Sequence, residues 1–314
     1  MATTSAPTTA IPGPDVLTRQ PESLWRQAIR AFFRQRSAVL GLTIIVLLVL
    51  VSIFAPLLAP YDPEQVLIGI ENVQKRSAPC IHLFGCPADQ PQHIMGTDGN
   101  NRDELSRIIY GARISLYVGF LTVGFAILIG VLLGAIAGYI GGWIDNVLMR
   151  ILDVLLAFPA LLLAIAIVSV LGPGLINAML AIAIVSIPAY ARVMRASVLS
   201  VKQEEYVQAA RVVGASPIAI LFQHVMPNAL SPLIVQGTLG IGTAILETAA
   251  LSFLGLGAQP PTPEWGSMLS AERNQLFSAP HLVFFPGLAI MINVLGFNLL
   301  GDGLRDALDP RLRR

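Results

Sequence analysis

The sequence predicts an all-α integral membrane protein with six transmembrane helices and both termini in the cytoplasm. Three observations predict this fold class: an apolar composition, long tracts without charged residues, and an uneven distribution of lysine and arginine. Of the 314 residues, 54% are hydrophobic and 12% are charged, whereas soluble domains carry about 25% charged residues. The composition excludes a disordered chain, a basic nucleic-acid-binding protein and an ordinary soluble enzyme.

The spans follow from the uncharged tracts, because a transmembrane helix needs about 20 mostly apolar residues. The tract 114–144 holds one span, whereas the uncharged tract 154–191 is too long for one. Gly172-Pro173-Gly174 lies in its middle and breaks a helix, so this tract is interpreted as two spans joined by a tight turn. Six spans are predicted, at 38–59, 114–140, 153–171, 176–195, 230–252 and 283–302.

The basic residues predict the orientation. Fourteen of the Lys and Arg residues fall on the side of the termini, and six fall in loops 60–113 and 253–282. Cytoplasmic segments of membrane proteins carry an excess of Lys and Arg. Both termini and loop 196–229 are therefore expected in the cytoplasm, with loops 60–113 and 253–282 outside the membrane.

The two ends of the chain differ from the spans. Residues 1–22 are rich in Ala, Thr and Pro and are predicted to form a disordered tail. Segment 23–36 is predicted to be an amphipathic interfacial helix, since its arginines recur every four residues beside an apolar face. A simple positive-inside anchor without a further role is the other interpretation. Residues 303–314 are expected to form a cytoplasmic tail.

Cys80 and Cys86 both lie in the long loop 60–113. An oxidising exterior permits a small structural disulfide between them, and two free thiols are the alternative. A zinc site lacks further ligands at the usual spacing, so no metal site is predicted.

Several catalytic motifs are missing from the sequence. It contains no G-x-x-x-x-G-K-[ST] phosphate-binding loop, no H-E-x-x-H and no G-x-S-x-G. The two lysines, Lys75 and Lys202, are followed by Arg and Gln, so neither completes a P-loop. The chain is therefore predicted to have no catalytic residue, no cofactor of its own and no nucleic-acid partner, and it is not expected to be an enzyme.

Glu247 is the ionisable residue nearest to the membrane interior, toward the outer end of the fifth span. A single acid is a weak basis for an ion-coupled carrier, which usually has several acids at mid-membrane. Glu247 is interpreted as a helix-packing or loop-anchoring contact rather than as a substrate ligand. Substrate-binding residues are left unassigned.

Segment 204–228 is predicted to form a helix–turn–helix hairpin. Glu205 begins the first helix, Ala209 and Ala210 give it a small-residue face, and Gly214 suits its C-terminus. Ser216 and Pro217 then begin a second helix. Pro227 is predicted to end it before the fifth span.

This hairpin resembles the EAA loop of permease subunits of ATP-binding-cassette importers. The matching pattern is E-x-x-x-A-A-x-x-x-G followed by a proline, formed by Glu205, Ala209, Ala210, Gly214 and Pro227. Further segments resemble the dipeptide/oligopeptide permeases of the OppC/DppC type. They are MGTDGNNRDELSRIIYGARISL at 95–116, RILDVLLAFPALLLAI at 150–165, ETAALSFLGLGAQPPTPEWGSML at 247–269 and NLLGDGLRDALDPRL at 298–312.

The resemblance implies a type I importer permease fold, with a five-helix core at 114–302, in the cytoplasmic (inner) membrane. It implies import of di- or oligopeptides driven by ATP and dependent on an extracytoplasmic solute-binding protein. The implied partners are a homologous second permease, membrane lipid and two ATPase subunits that bind ATP and Mg and receive the hairpin in a groove. Nickel chelates and glutathione are alternative solutes, and an ion-coupled secondary carrier or an export permease is the alternative of a different class.

Two features depart from the pattern of this family. The family commonly has Gly-Arg-Asp where this chain has Asn101-Arg102-Asp103. The insert at 65–92, which contains both cysteines, is longer than expected and bears on how a binding protein docks.

Overall fold

The computed structural model describes residues 24–87 and 89–308. The predicted tail 1–22 and the last residues of the predicted tail 303–314 lie outside this range. The helices are α1 (Leu24–Arg34), α2 (Arg36–Ile53), α3 (Ala55–Leu58), α4 (Glu104–Ile140), α5 (Gly142–Leu156), α6 (Ala160–Leu171), α7 (Leu175–Val201), α8 (Glu205–Val212), α9 (Pro217–Ala219), α10 (Met226–Ala229), α11 (Ser231–Phe253), α12 (Trp265–Glu272) and α13 (His281–Leu308). Across the described ranges, β pairing is limited to the isolated bridges Ile68–Glu71 and Thr97–Asp103.

The helices confirm the predicted all-α membrane fold. Five of them, α2, α4, α7, α11 and α13, are long and apolar enough to cross a membrane. The pair α5 and α6 forms a sixth candidate span, although its two helices are bent by 89°.

The prediction of a continuous span at 153–171 is wrong, because α5 ends at Leu156 and α6 begins at Ala160. Pro159 has no N–H to donate to the preceding turn and disfavours helical geometry in the residue before it, so the helix breaks here. The predicted turn after this span is present: α6 ends before Gly172, whose φ is +91°, and α7 begins at Leu175.

Helix α4 begins ten residues before the predicted span 114–140. The Asp103 carboxylate caps it by accepting a 2.8 Å hydrogen bond from the Ser106 backbone N–H. At 1.5 Å per residue, its 37 residues span about 55 Å, which exceeds the roughly 30 Å hydrocarbon core. Its first turns therefore project out of the membrane.

Helix α4 packs closely on α7. Gly130, Gly134 and Gly138 recur every four residues of α4 and face α7. A Cβ at Gly130 would lie 2.7 Å from Tyr190 Cβ, one at Gly138 would lie 2.9 Å from a backbone oxygen of α7, and one at Gly134 would overlap the Ala191 carbonyl oxygen. Small residues at such intervals let two backbones approach closely, which is the main source of helix association in a bilayer.

Helix α13 holds α2 in the same way. A Cβ at Gly296 would lie 2.7 Å from Ile44 Cγ2, and one at Gly303 would overlap Ala38.

Helix α1 ends at Arg34, two residues before the predicted end at 36, and Arg36 already belongs to α2. Phe32 of α1 is buried with Ala38 beside the end of α13.

A loop cap, residues 60–103 and 254–280, covers the N-terminal end of α4. His93 is buried between two carboxylates: Nδ1 lies 2.8 Å from Asp103 Oδ1 and Nε2 lies 3.2 Å from Glu71 Oε2. The Tyr61 hydroxyl donates to Glu71 over 3.0 Å. Because Asp103 also caps α4, this cluster ties the first part of the cap to the helix.

A second cluster joins the two parts of the loop cap. Arg102 donates to Asp98 over 2.7 Å, and Arg107 donates to the Pro261 carbonyl over 3.2 Å. Glu272 accepts 2.8 and 2.9 Å hydrogen bonds from Arg76 and from the Gly99 backbone. Buried charges require such partners, and these partners come from both loops.

Asn101, where the family commonly has Gly, has a φ of +56°. Glycine adopts this left-handed conformation without penalty, and asparagine tolerates it better than most residues. The substitution therefore preserves the turn. The Asn101 amide also donates to the Val73 carbonyl over 3.0 Å and so ties the long insert 65–92 to the segment just before α4.

Three pKa values in the loop cap are shifted. Burial alone would lower the pKa of His93, but the hydrogen bond to Asp103 and the charges of Asp103 and Glu71 outweigh it, so the pKa rises above 6.5. Burial, the hydrogen bond to Glu71 and nearby acids raise the pKa of Tyr61 to about 12. Burial raises the pKa of Glu264, although two backbone N–H groups donate to its carboxylate and oppose the shift.

We expect Gly134→Ala to destabilise the bundle, because its Cβ would meet the backbone of α7 and force the helices apart. The expected cost is about 1–3 kcal/mol. The matched control is Gly124→Ala on the same helix, where a Cβ has no neighbour within 4 Å. Thermal unfolding in detergent checks this, and equal midpoints for the two variants would contradict the packing described.

We expect the loop cap to lose stability as pH rises. The folded pKa of His93 is raised, so its contribution is complete below the ordinary value of 6.5 and is lost as pH rises through the folded pKa. Hydrogen-exchange protection factors of residues 93–107, compared at pH 6 and 8.5, measure the effect. His93→Gln removes the titrating group and should flatten the dependence; an unchanged dependence in that variant would contradict the assignment.

Candidate functional site

A hairpin, residues 205–229, lies at the C-terminal end of α4, opposite the loop cap. Helix α8 ends with Val213 as its C-cap, and Gly214 turns the chain with a φ of +87°. Ser216 then caps the next helix, its hydroxyl accepting a 3.3 Å hydrogen bond from the Ala219 N–H. The hairpin predicted from the sequence is present.

The five residues that carry the resemblance all lie on this hairpin. Glu205 and Ala209 are exposed one turn apart on α8, whereas Ala210 is half-buried and packs against the core. Gly214 is exposed, and a Cβ there would have no neighbour within 4 Å of it. Glycine is therefore needed at this position for its backbone conformation rather than for space within this chain.

The prediction that Pro227 ends the second helix is wrong. After α9 the chain forms a π-helical segment, Ile220–Val225, and continues as α10 to Ala229. The Met226 N–H bonds to the Leu221 carbonyl five residues back. This wider turn accommodates a proline whose ring would clash with the carbonyl of an ordinary α-helix.

The hairpin is fixed to the bundle by buried side chains and by hydrogen bonds. Val207, Ile220 and Val225 are buried. The Tyr139 hydroxyl at the end of α4 donates to the Pro217 carbonyl over 2.8 Å. Lys202, between α7 and the hairpin, donates to the Gly138 carbonyl of α4 over 2.8 Å. These contacts attach the hairpin to α4 and to the end of α7.

Ion pairs strengthen the same end of the bundle. The Arg195 guanidinium on α7 binds both Asp145 oxygens at 2.5 and 2.6 Å, and Arg192 binds Asp153 at 2.5 Å. Both acids belong to α5, so these pairs hold α5 across α7. Pairing lowers the cost of placing these charges on membrane-spanning helices.

Large apolar side chains are exposed on the hairpin, and sequence reasoning did not single them out. Val212 is 88% exposed, Val213 87% and Ile218 72%. We call this set, completed by Tyr206 and Phe222, the apolar patch. Partial burial of the Tyr206 hydroxyl, together with the charge of Glu204, raises the pKa of Tyr206. Exposed apolar side chains grouped on one short segment are typical of interaction sites. The four-residue spacing of Ile218 and Phe222 was the signal for them that the sequence offered.

The two cysteines lie in the loop cap. Their sulfurs are bonded, and their Cα atoms are 5.4 Å apart, a separation usual for a disulfide. A ring nitrogen of His82 and the two sulfurs lie within 4.8 Å of one another. Paired sulfurs present no thiolate for a metal, so this group is described as a disulfide.

Comparison with known proteins is consistent with this architecture. The family described as "Binding-protein-dependent transport system inner membrane component" matches residues 130–314, and the "N-terminal TM domain of oligopeptide transport permease C" matches residues 23–79. The dipeptide transport system permease protein DppC of Alkalihalophilus pseudofirmus is 50% identical over 291 residues, covering 93% of this chain and 91% of the relative. The glutathione transport system permease protein GsiD of Escherichia coli is 47% identical over 300 residues, covering 96% and 95%.

The fold also resembles a solved structure, an inward-facing conformation of the MetNI methionine ABC transporter. The TM-score is 0.54 at 19% identity, and the match covers 65% of this chain and 97% of the other. At this identity the likeness concerns the fold alone. With the family match and the identity to DppC, it leads to one conclusion: this chain belongs to the binding-protein-dependent transport system inner membrane components, and it is a multi-pass inner-membrane permease of the OppC/DppC type.

Proposed function

We propose that this chain forms half of the translocation pathway of an ATP-driven importer for di- and oligopeptides. The observation that carries the proposal is the 50% identity to a dipeptide permease along 93% of the chain. The ABC importer permease fold supports it independently. Glutathione is a second candidate solute, because a glutathione permease is 47% identical over a similar length.

The proposed assembly contains a homologous second permease, two ATPase subunits and an extracytoplasmic solute-binding protein. ATP and Mg would be held by the ATPase subunits, and this chain would have no catalytic role. The basic residues support an orientation with both termini and the hairpin in the cytoplasm. The loop cap then faces the binding protein. The relatives described above are a dipeptide permease and a glutathione permease. They support neither nickel chelates as the solute nor an ion-coupled carrier as the protein class.

The hairpin is proposed to couple ATP hydrolysis to transport. The apolar patch gives an ATPase subunit a surface to bury, and Glu205 and Ala209 are exposed beside it. The bond from Tyr139 to Pro217 and the buried Val207 make the hairpin a rigid lever on α4 and α7. Closure of the ATPases would then move these helices and change access to the pathway.

Helix α1 is proposed to lie at the membrane surface. Ile29 and Phe33 expose 56% and 60% of their side chains, while Phe32 packs inward. Exposed apolar groups among arginines suit the boundary between headgroups and acyl chains. Membrane lipid would cover them.

The Cys80–Cys86 disulfide is proposed to be structural and to hold the tip of the long insert. We expect alkylation of the complete transporter without reductant to label neither sulfur, and alkylation after reduction to label both. Mass spectrometry of the peptide that contains both residues measures this. Labelling before reduction would contradict the disulfide.

We expect proteoliposomes with the complete transporter to accumulate labelled di- and oligopeptides only with ATP and the binding protein. Val212→Asp should lower this uptake at least about tenfold, because docking would bury an unpaired carboxylate. Less ATPase subunit should then co-purify. Val212 is 88% exposed, so the variant loses little contact within this chain.

Phe277→Asp is the matched control, since Phe277 is 98% exposed on the loop cap at the opposite end. It should retain the ATPase subunits. Normal uptake by Val212→Asp would contradict coupling through the hairpin. Uptake of glutathione but not of peptides would favour the second solute, and uptake driven by an ion gradient without ATP would overturn the importer.

A further inference from the structure

Three polar side chains and a glycine lie along one face of α11, which the rest of the chain leaves only partly covered. Gln236, Gly240, Thr243 and Glu247 follow one another at intervals of three or four residues, which places them on a single face. Thr243 is exposed and the other three are half-buried. The remaining faces of α11 pack against α4, α7 and α13. We call this set the polar face of α11.

The exposed faces of neighbouring helices have a different character. On α4, the exposed side chains are apolar and recur at helical spacing: Tyr117, Leu121, Phe125, Leu128, Leu132 and Ile136. Such a surface suits contact with lipid. The polar face of α11 does not, because an ionisable side chain in hydrocarbon is costly and normally faces the protein interior or a water-filled cavity.

Glu247 makes no hydrogen bond or ion pair with any residue that the structure describes. The interpretation of Glu247 as a helix-packing or loop-anchoring contact therefore has no partner to support it. It lies six residues, or about 9 Å, before the end of α11, well inside the helix. An unpaired carboxylate at this depth is complementary to a cation that arrives from outside this chain.

The polar face continues to an open space at the other end of α11. A cavity of about 430 Å³ is lined there by Pro232, Gln236 and Leu239 of this helix, together with Arg305 of α13. Gln236 and Glu247 are eleven residues apart, or about 16 Å along the helix. Midway, the hydroxyl of the buried Tyr190 of α7 lies against Gly240, where a Cβ would overlap it, so α7 covers the face at this one point. Polar groups thus follow most of the span.

We propose that the polar face of α11 lines the translocation pathway and that the Glu247 carboxylate binds the ammonium group of the transported peptide. This inference rests on the proposed function. A free peptide N-terminus carries the positive charge that an unpaired carboxylate attracts, and the resulting hydrogen bonds are charge-assisted. Glutathione also carries an ammonium group, so the contact serves either candidate solute.

The first test asks whether the polar face is wetted. Thr243→Cys and Gln236→Cys are introduced into the complete transporter and treated with a cationic, water-soluble methanethiosulfonate reagent. Leu128→Cys is the matched control, since Leu128 is 61% exposed on the apolar face of α4. We expect both α11 variants to react faster than the control, and equal or slower reaction of both would overturn the assignment of this face to the pathway.

The second test asks whether the charge of Glu247 is used. In proteoliposomes, Glu247→Gln should lower the initial uptake of labelled dialanine, or of glutathione, at least about tenfold, as expected for one lost charge-assisted hydrogen bond. Glu247→Asp keeps the charge and should recover most of the uptake. Co-purification of the second permease should stay at the parent level in both variants, which shows that the assembly is intact.

Thr238→Val and Thr243→Val form a matched pair, since each hydroxyl donates to the carbonyl four residues back, at 2.9 and 3.3 Å. Thr238 lies off the polar face, so only Thr243→Val should reduce uptake.

Two outcomes for Glu247→Gln would overturn the ammonium contact. One is uptake at the parent level. The other is loss of the second permease from that variant, which would assign Glu247 to the subunit interface. If the parent itself transports neither probe, the proposed solute fails, and the labelling test decides the pathway independently.

Discussion

The close approach of α4 to α7 is the constraint on which the rest of the structure depends. Gly130, Gly134 and Gly138 leave no side-chain atoms between the two backbones, so the helices touch along several turns. In a bilayer this packing replaces the hydrophobic driving force that holds soluble helices together. The loop cap and the hairpin are both attached to α4. Asp103 caps the N-terminal end of α4 beneath the loop cap, and Tyr139 near its C-terminal end holds the hairpin.

The distribution of charge follows from the same membrane environment. Near the hairpin, Arg195 of α7 pairs with Asp145 of α5, and in the loop cap the acids and arginines bind one another across two loops. Glu247 differs from these groups because it lies within a span without a partner in the described residues. In a permease, polar groups without partners in the chain itself are able to bind a passing solute.

The rigid connection between the hairpin and the spans gives the importer a physical basis. The hairpin offers an exposed apolar patch for a partner, while its inner side is buried against the bundle. Because only three residues separate α7 from α8, a displacement of the hairpin would, in the proposed mechanism, be transmitted along α7 and α4 toward the loop cap. Helix α11 packs against both helices, so its polar face would shift with them.

The sequence alone determined the membrane fold, the approximate spans and the family, because uncharged tracts, Gly-Pro-Gly and the EAA pattern are local signals that do not depend on distant contacts. It also placed the hairpin, with Glu205, Gly214 and Ser216 in their positions. The break at Pro159 was missed because a proline does not always end a membrane helix, as Pro188 within α7 shows. The π-helical turn before Pro227 was missed because it has no local sequence signal. The charged clusters of the loop cap join residues more than 150 positions apart, as Arg107 and Pro261 do. Only the tertiary structure decided such pairings, and only it left Glu247 without a partner, because a side chain's surroundings are set by which helices lie against it.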